Sequence, residues 1–194
     1  GGMVMFNKKE HMKRALMYRD WGRIGNNSED MDDRFAHEVD GIPYDYKFLY
    51  GVLGYNMKCA EANAAFGLVQ LEKFQTFKNV RRANIERYLE RLSIVKEIIL
   101  PDDKFKPNWL AIPLQTERRL ELLTFLEKRD IQTRVTFAGN VTRHPAYREY
   151  LQDFKVADEV MKNGFLLGAH HGMTTKDVDY VCDCIEEFFG YDYD

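Results

Sequence analysis

The pattern of apolar and polar residues is clearest after residue 174. Six apolar residues recur there at steps of three and four: Val178, Val181, Cys182, Ile185, Phe188 and Phe189. This spacing places them on one face of a helix. Thr174 and Asp177 stand just before the repeat, three residues apart as in a capping box, so the helix is predicted to begin there.

Upstream of this helix, short apolar segments alternate with helical spacing. Residues 108–115 (NWLAIPLQ) and 131–137 (IQTRVTF) predict strands, and residues 117–129 (ERRLELLTFLEKR) predict a helix. An irregular stretch through Pro145 leads to another short apolar segment, FLLGA at 165–169. From about residue 80 onward the pattern predicts a compact α/β domain, in which helices cover one face of a small sheet.

The middle of the chain contains the segment LGYNMKCAEANAAFGLVQLEK, residues 53–73. Alanines and large apolar residues recur in it at helical spacing. They predict a helix from about Ala60 to Phe77, mostly buried as far as Lys73, and then a second helix from about Lys78 to Leu92. The second helix has one apolar stripe, formed by Ile85, Tyr88, Leu89 and Leu92.

The first 50 residues are less regular. Residues 3–6 predict a short strand, and residues 8–18 predict a short helix with a charged outer face. Residues 19–50 have little periodicity and are rich in glycine, asparagine, aspartate and aromatic residues. Irregular segments of this length are usually functional or disordered, and the aromatic content disfavours disorder. We therefore expect an ordered binding or interface loop.

Composition narrows the class of protein. The 194 residues are 45% hydrophobic and 13% aromatic, which is typical of a globular protein, and the net charge of −3 disfavours a dedicated nucleic-acid binder. No apolar run approaches the roughly 18 residues of a membrane span. The first residues lack the segments of a signal peptide, and three cysteines disfavour a disulfide framework. These features predict a cytoplasmic protein with no nucleic-acid or membrane partner.

Candidate metal ligands occur in three places. Cys182 and Cys184 lie two residues apart on the predicted helix, about 200° around its axis, so they cannot hold one ion together. His170 and His171 have no third ligand nearby, which favours a surface or interface turn, with the lining of a substrate cleft as the other interpretation. The acidic segment 29–35 lacks the glycine and the glutamate of a calcium loop. No metal site is predicted.

The Gly-Tyr-Asn turn before the middle helix allows two interpretations. Asn56 is a favourable N-cap residue, which would make the turn purely structural. Alternatively, free backbone amides at a helix start, with Asn56 and Lys58 beside them, form an anion-binding site. The residues alone favour neither.

At these residues the chain resembles a known family, the DegT/StrS group of vitamin-B6-dependent sugar aminotransferases. The matching segments follow the family order over nearly the whole chain: GGMV at the start, YRDWGR (18–23), residues 53–73, NVRRANIERYLERL (79–92), IQTRVTFAGNVTRHPAY (131–147) and GMTTKDVDYVCDCIEEFF (172–189). RDWGR together with the TR, FAGN and PAY elements is similar to one branch, the 3-dehydratases of nucleotide-linked 4-keto-6-deoxyhexoses.

The resemblance implies an α/β fold, namely the C-terminal part of a fold type I enzyme that depends on pyridoxal 5'-phosphate (PLP). Residues 1–77 would form an edge of the large cofactor-binding domain, with an interface loop at 19–56, and residues 78–194 the small domain. In the family, the Gly-Tyr-Asn turn crosses a dimer interface and its asparagine helps to hold the partner's cofactor phosphate. A homodimer is therefore implied, with Asn56 and Lys58 as cofactor-binding residues. Many members have arginine at the position of Lys58.

The resemblance also implies a substrate, a nucleotide-linked 4-keto sugar of lipopolysaccharide or other glycan biosynthesis. The implied substrate-binding residues are Arg134, Phe137, Asn140 and His144 in the small domain, with Tyr44 and Tyr50 lining the same cleft. PLP or pyridoxamine 5'-phosphate (PMP) would serve as the electron sink for amino transfer or for loss of the C3 hydroxyl.

Two departures from the family pattern change these expectations. In some dehydratases the cysteines of an iron–sulfur cluster follow RDWGR, but residues 24–35 (IGNNSEDMDDRF) contain no cysteine, so no cluster is expected. The family's reactive residue, a lysine in aminotransferases and a histidine in dehydratases, lies a few positions before Gly1. No catalytic residue is therefore predicted here, and this segment is expected to be inactive alone. A truncated homologue that serves as a binding or assembly module is the alternative hypothesis.

Overall fold

A computed structural model describes residues 2–25 and 28–191. Within these ranges the α-helices are α1 (Lys9–Arg19), α2 (Met31–Arg34), α3 (Glu61–Leu92), α4 (Arg119–Glu127), α5 (Lys155–Asn163) and α6 (Thr175–Phe189). The strands are β1 (His37–Val39), β2 (Ile42–Tyr44), β3 (Ala111–Gln115), β4 (Thr133–Val135) and β5 (Gly164–Gly168). Short 3-10 turns lie at Tyr46–Phe48, Val141–Arg143 and Pro145–Tyr150. The chain divides into two compact units, Gly1–Gln70 and Leu71–Asp194.

An antiparallel sheet in the order β3–β5–β4 organises the Leu71–Asp194 unit. Across β3 and β5, Ile112 lies opposite Leu167 and Leu114 lies opposite Phe165, and all four side chains are buried. They join one core cluster with buried residues of α3, α4 and α6, which are Ile85, Tyr88, Leu92, Leu122, Leu126, Val178, Val181 and Ile185. The predicted compact α/β arrangement is confirmed.

The last helix follows its prediction closely. The Thr174 hydroxyl accepts a hydrogen bond from the backbone N–H of Asp177 at 3.3 Å, and Asp177 Oδ2 accepts one from the backbone N–H of Thr174 at 2.7 Å. This predicted capping box lowers the pKa of Asp177, because the backbone and hydroxyl donors of Thr174 favour its carboxylate. Cys182 is fully buried in the core, as expected.

The prediction of two helices between Ala60 and Leu92 is wrong, because α3 is continuous from Glu61 to Leu92. No proline or glycine interrupts the sequence near residue 77, and Gln75 Nε2 donates to Asn79 Oδ1 at 2.8 Å across the predicted break. The structural division after Gln70 and the predicted boundary at 77/78 both fall within this helix. The assignment of the two parts to a large and a small domain stays a prediction.

The first half of α3 is not buried, contrary to expectation. Phe66, Leu68 and Leu71 expose 69%, 64% and 69% of their surface. The sequence pattern detects a helix that is apolar on several sides, but burial requires another element to cover those sides, and the described residues supply none. A large exposed apolar surface of this kind is typical of an interaction site. Neither α3 nor any other helix in the described ranges is long and apolar enough to cross a membrane.

The Gly1–Gln70 unit contains α1, α2 and a hairpin of β1 and β2. Asp40 and Gly41, at the hairpin turn, both have positive φ, 54° and 77°, as a type I′ turn requires. The helix predicted at residues 8–18 is confirmed as α1, whereas α2 and the hairpin lie in the segment 19–50 that was expected to be an ordered loop. Its role as an interface stays a prediction, and Asn26 and Asn27 lie outside the described residues. Residues 3–6 form no strand, because a strand needs a partner and no described residue pairs with them.

A buried ion cluster joins the end of α3 to α6. Arg91, 6% exposed, donates from Nη2 to Glu186 Oε2 at 2.7 Å, and Glu186 is 2% exposed. Arg91 also donates to Asp183 at 2.6 Å and to Asp179 at 3.2 Å, and Arg87 donates to Asp179 at 2.6 Å. Burial alone would lower the pKa of Arg91, but hydrogen bonds from its guanidinium to Glu186 and Asp183 outweigh burial and raise it.

Candidate functional site

The Gly-Tyr-Asn turn is held against the RDWGR segment by backbone hydrogen bonds. Tyr55 N donates to the carbonyl of Tyr18 at 2.7 Å, and Trp21 N donates to the carbonyl of Tyr55 at 2.8 Å. Met57 N donates to the carbonyl of Arg19 at 3.0 Å. Asn56 therefore stands on a short antiparallel ladder, and the two family-like motifs form one local structure.

Two glycines permit this close approach. A Cβ on Gly54 would lie 2.1 Å from the backbone nitrogen of Gly22, and a Cβ on Gly22 would lie 1.8 Å from the carbonyl oxygen of Val52. Gly22 also has a φ of +90°, which residues with a side chain rarely adopt. The Gly-Tyr-Asn turn thus contains glycine because backbone, and not a flexible side chain, lies where its Cβ would be.

We expect Gly54→Ala to lower the free energy of unfolding by at least about 2 kcal/mol, because a methyl group would displace the facing backbone. Gly67→Ala is a matched control, since Gly67 lies in α3 and no atom lies within 4 Å of the position that its Cβ would take. That change should be neutral or should stabilise the helix by up to about 1 kcal/mol. Urea unfolding followed by circular dichroism measures both. Equal destabilisation at the two positions would contradict the close approach.

The side chains of Asn56 and Lys58 differ in their contacts with the rest of the described chain. Asn56 is exposed, and its carboxamide has no hydrogen bond to any described residue. Lys58 Nζ lies 3.2 Å from Oδ2 of the buried Asp20 and 5.8 Å from the centre of the Trp21 ring. The interpretation of Asn56 as a helix N-cap is wrong, because α3 begins only at Glu61. For the same reason the free amides of that helix are not adjacent to Asn56.

Tyr44 and Tyr50 lie in the same unit and are both exposed. Tyr44 ends β2, and Tyr50 forms a β-bridge with Arg23. Between them, Asp45 is buried and accepts from Arg34 Nε at 2.8 Å. The hydrogen bond from Arg34 lowers the pKa of Asp45 and outweighs the opposing effect of burial. The ion pair fixes the strand end that carries Tyr44.

A second candidate site is the loop after β4, residues 136–144. Phe137 has a φ of +48° and exposes 85% of its surface. Its backbone N–H donates to the carbonyl of Val135 at 2.8 Å, which closes a three-residue turn. A bulky residue with positive φ is strained, and such strain is commonly retained where it places a functional side chain. Gly139, with φ +58°, fits against α5, since its Cβ would lie 2.4 Å from Cβ of Met161.

Asn140 holds this loop together. It is 2% exposed, and its Nδ2 donates to the carbonyl of Gln152 and to Asp158 Oδ1, both at 2.9 Å. Its Oδ1 accepts from the backbone N–H and the hydroxyl of Thr142, at 3.1 and 2.6 Å. Arg143 donates to both oxygens of Asp158, with Nη2 to Oδ2 at 3.0 Å. Every hydrogen-bonding position of the Asn140 carboxamide is therefore used within the loop and α5.

The remaining predicted substrate residues fall on two cavities. Phe137 and His144 both line one of about 210 Å³, and His144 Nε2 lies 2.8 Å from the carbonyl of Ala138. Arg134 lines a different cavity of about 460 Å³, beside Tyr88, and its Nη1 donates to the carbonyl of Thr133 at 2.6 Å. The fold therefore brings Phe137 and His144 together and places Arg134 elsewhere.

The 136–144 loop should keep its folded structure at low pH, because Asp158 stays ionised there. The Arg143 guanidinium, followed by the Asn140 amide, lowers the pKa of Asp158 to about 2. A carboxyl whose pKa is lower in the folded protein than in the unfolded chain stabilises the fold at every pH above its unfolded pKa. This stabilisation is lost as the pH falls through the pKa of the folded protein. We expect the loop amides to keep their NMR shifts at pH 3 and to change near pH 2. In Arg143→Gln the pH at which these shifts change should rise toward the ordinary pKa of an aspartate side chain. An unchanged midpoint in that variant would contradict the assignment.

Both candidate sites lie in a part of the chain that matches a known protein family. The sequence pattern of the DegT/DnrJ/EryC1/StrS aminotransferase family matches residues 1–186. The chain belongs to this family. The resemblance inferred from the motifs is confirmed. No cluster of three or more histidine, cysteine or acidic side chains suited to a metal ion occurs among the described residues of this DegT-family chain.

Curated relatives within the DegT family share up to a third of their residues with the chain. The lipopolysaccharide biosynthesis protein RfbH of Salmonella typhimurium is 33% identical over 99% of this chain and 48% of its own length. The dTDP-4-dehydro-2,6-dideoxy-D-glucose 3-dehydratase of Saccharopolyspora spinosa is 33% identical over 97% of this chain and 44% of its own length. The chain thus spans about half the length of these relatives and corresponds to their C-terminal part.

Solved structures agree with this DegT-family assignment. DesV of S. venezuelae, in complex with a ketimine intermediate, superposes with a TM-score of 0.75 at 22% identity, over 96% of this chain and 46% of that one. The E. coli GDP-4-keto-6-deoxy-D-mannose-3-dehydratase, with bound hydrated PLP, gives 0.74 at 21% identity, over 92% and 48%. At these identities the likeness establishes the fold, and the predicted C-terminal part of a fold type I enzyme is confirmed.

The sequence of this DegT-family chain did not predict two groups of residues, those that fix the 136–144 loop and the cationic residues that line a cavity beside α1. Asp158 and Arg143 fix the 136–144 loop, and α5, which carries Asp158, was not predicted at all. The apolar residues Val156, Ala157, Val160 and Met161 are spaced as on one helix face and could have revealed α5. Lys13, Arg19 and Arg23 line a common cavity, which sequence spacing could not show.

Proposed function

We propose that this chain is the C-terminal part of a cytoplasmic PLP- or PMP-dependent enzyme that remodels a nucleotide-linked keto sugar. The reaction is amino transfer or loss of the C3 hydroxyl, in the biosynthesis of lipopolysaccharide or another glycan. The observation that carries the proposal is the 33% identity to RfbH and to a dTDP-sugar 3-dehydratase over nearly the whole chain. When bound, the cofactor supplies an electron sink for bond changes next to the sugar carbonyl.

Asn56 and Lys58 fit the cofactor phosphate. The Asn56 carboxamide is exposed on the backbone ladder with the RDWGR segment and has donors that no described residue uses. Lys58 adds a positive charge next to it, although its ammonium also contacts Asp20 at 3.2 Å. A lysine here acts as a point charge and lacks the forked geometry of the arginine found in many relatives. No iron–sulfur cluster is proposed, because residues 24–35 contain no cysteine.

The 136–144 loop fits the substrate side. Phe137 presents an exposed ring that can contact the sugar or the base, and His144 lies on the same cavity. Asn140, whose carboxamide is fully bonded, acts by positioning this loop and not by touching the substrate. Tyr44, Tyr50 and Arg134 are exposed and remain candidate contacts from their own elements.

A homodimer is the proposed assembly. The first half of α3 exposes Phe66 and Leu68, and Leu53, just before the Gly-Tyr-Asn turn, exposes 96% of its surface. Covering them removes a large apolar area from water, which is the usual driving force of obligate association. Light scattering of the concentrated protein tests this, and a strictly monomeric, folded species would count against it.

The experiment that tests the function starts with the coding DNA upstream of Gly1. A lysine codon a few positions before Gly1 supports an aminotransferase, and a histidine codon there supports the dehydratase branch with PMP. A start codon or a junction with no upstream reading frame would leave the alternative, a non-catalytic binding or assembly module. Titration of the protein so encoded with PLP, followed by absorbance, then tests the site. Asn56→Ala should weaken binding about tenfold, and Asn63→Ala, an exposed asparagine of α3, should not change it.

A further inference from the structure

The carboxylate of Glu127 joins the last residue of α4 to the first residue of β4. Its Oε1 accepts two hydrogen bonds from Thr133, one from the backbone N–H at 2.7 Å and one from the hydroxyl at 2.8 Å. Thr133 is 7% exposed. These two donors lower the pKa of Glu127 and outweigh the opposing effect of desolvation. Two donors of a buried threonine therefore depend on one carboxylate oxygen.

Strand β4 depends on this anchor because it is short and lies at the edge of its sheet. It consists of three residues, Thr133–Val135, and it pairs with β5 in the order β3–β5–β4. Within this pairing Thr133 lies opposite Leu167, and Arg134 lies opposite Leu166. A short edge strand has few ladder hydrogen bonds, so a contact at its first residue contributes a large part of its local stability.

The next residue, Arg134, is held by the residue that Glu127 fixes. Its Nη1 donates to the carbonyl of Thr133 at 2.6 Å, so the guanidinium lies against the backbone at the start of β4. The positive charge of Arg134 also helps to lower the pKa of Glu127, after the larger effect of the Thr133 donors. Arg134 is exposed and lines the cavity of about 460 Å³. The contacts of Thr133 therefore decide where this guanidinium stands at the cavity wall.

We propose that Glu127 is a positioning residue, which orients Arg134 toward the nucleotide-linked sugar through Thr133. The inference rests on the proposed function, in which Arg134 is a candidate substrate contact, and it adds a residue that does not itself touch the sugar. A guanidinium that is fixed before the substrate arrives loses less conformational freedom on binding, which favours affinity. Loss of Glu127 should therefore weaken substrate binding and leave the chemical step unchanged.

Steady-state kinetics of the enzyme proposed above tests the role of Glu127. Glu127→Ala should raise KM for the nucleotide-linked sugar about tenfold and change kcat less than about twofold, because two donors of Thr133 lose their acceptor. Glu127→Gln keeps a side-chain oxygen that can accept from Thr133, so its KM should stay within about threefold of the original. Glu121→Ala is the matched control on α4, since Glu121 is exposed and accepts from Arg118 at 2.8 Å. Its KM should not change.

A second measurement requires no activity, namely ¹⁵N relaxation of the Arg134 Nε–H group. In Glu127→Ala its order parameter should fall to the flexible range, below about 0.6, and in Glu127→Gln and Glu121→Ala it should keep its original value. This readout separates the two proposals, because it reports on Arg134 even where the enzyme proves to act on no nucleotide-linked sugar.

Three outcomes would overturn the positioning role. The first is an Arg134 order parameter that stays the same in Glu127→Ala, and the second is a fall in kcat as large as the rise in KM. The third applies where Glu127→Ala does not fold. Thr133→Val then removes only the hydroxyl donor and should raise KM about threefold, so an unchanged KM in that variant would contradict the role of Glu127.

Discussion

Replacing Arg91 with methionine is expected to lower the free energy of unfolding by about 3–5 kcal/mol. The reason is the buried carboxylate that the change leaves behind: Glu186 is 2% exposed and receives two hydrogen bonds from Arg91, at 3.2 and 2.7 Å. Without them, Glu186 must ionise in an apolar environment or take up a proton, and both cost free energy. Urea unfolding followed by circular dichroism at neutral pH measures the loss.

Two control variants separate the buried pair from ordinary surface charge. Arg87→Met removes an arginine one turn away whose side chain is 35% exposed and whose partner Asp179 is 33% exposed, so it should cost at most about 1 kcal/mol. The double variant Arg91→Met with Glu186→Leu removes both buried charges and should recover most of the stability. A double variant as unstable as Arg91→Met alone would show that packing, and not the unpaired charge, dominates.

Local signals in the sequence predicted the Leu71–Asp194 unit well. The capping box at Thr174 and Asp177 and the three-and-four spacing of α6 are properties of neighbouring residues, and both are found in the structure. The strands β3 and β4 lie within the segments predicted for them, and β5 covers most of the apolar segment at 165–169. Ion pairs such as that of Arg91 with Glu186 join residues far apart in sequence, and composition or periodicity carries no signal for them.

The failures come from properties that depend on surroundings. Residues 3–6 have the composition of a strand but no partner among the described residues, and Phe66 and Leu68 have the pattern of a core but no cover. The apolar pattern shows which side chains of a segment could be buried. Whether they are buried depends on the other elements that pack against the segment. The site shows the same limit. The sequence pointed to the Gly-Tyr-Asn turn before the middle helix as a candidate site, but only the close backbone approach of Gly54 to Gly22 explains why the turn contains glycine.

The 136–144 loop offers the sharpest test of how the site is built, through Asn140→Ala. This change removes four hydrogen bonds and leaves Asp158 Oδ1 and the carbonyl of Gln152 without their amide donor. We expect the amides of residues 137–144 to exchange about a hundredfold faster, which corresponds to about 2.7 kcal/mol of local stability. The core amides of β5 should keep their protection, because the hydrogen bonds lost all lie in the loop and its contact with α5.

Two further variants test whether the hydrogen bonds of Asn140, and not other contacts of the loop, stabilise residues 137–144. Asp153→Asn alters only an exposed carboxylate that accepts from Arg143 at 2.8 Å, so exchange in the loop should not change. Asn140→Asp keeps the acceptor for Thr142 but sets a second carboxylate beside Asp158, which should raise the pKa of Asp158 and loosen the loop at neutral pH. In the enzyme proposed above, Asn140→Ala should raise KM for the nucleotide-linked sugar and leave PLP affinity unchanged, because under that proposal Asn140 would only position the loop that carries Phe137 and His144. Unchanged exchange in Asn140→Ala would mean that the strained φ of Phe137 is held by the fit of Gly139 against Met161 instead.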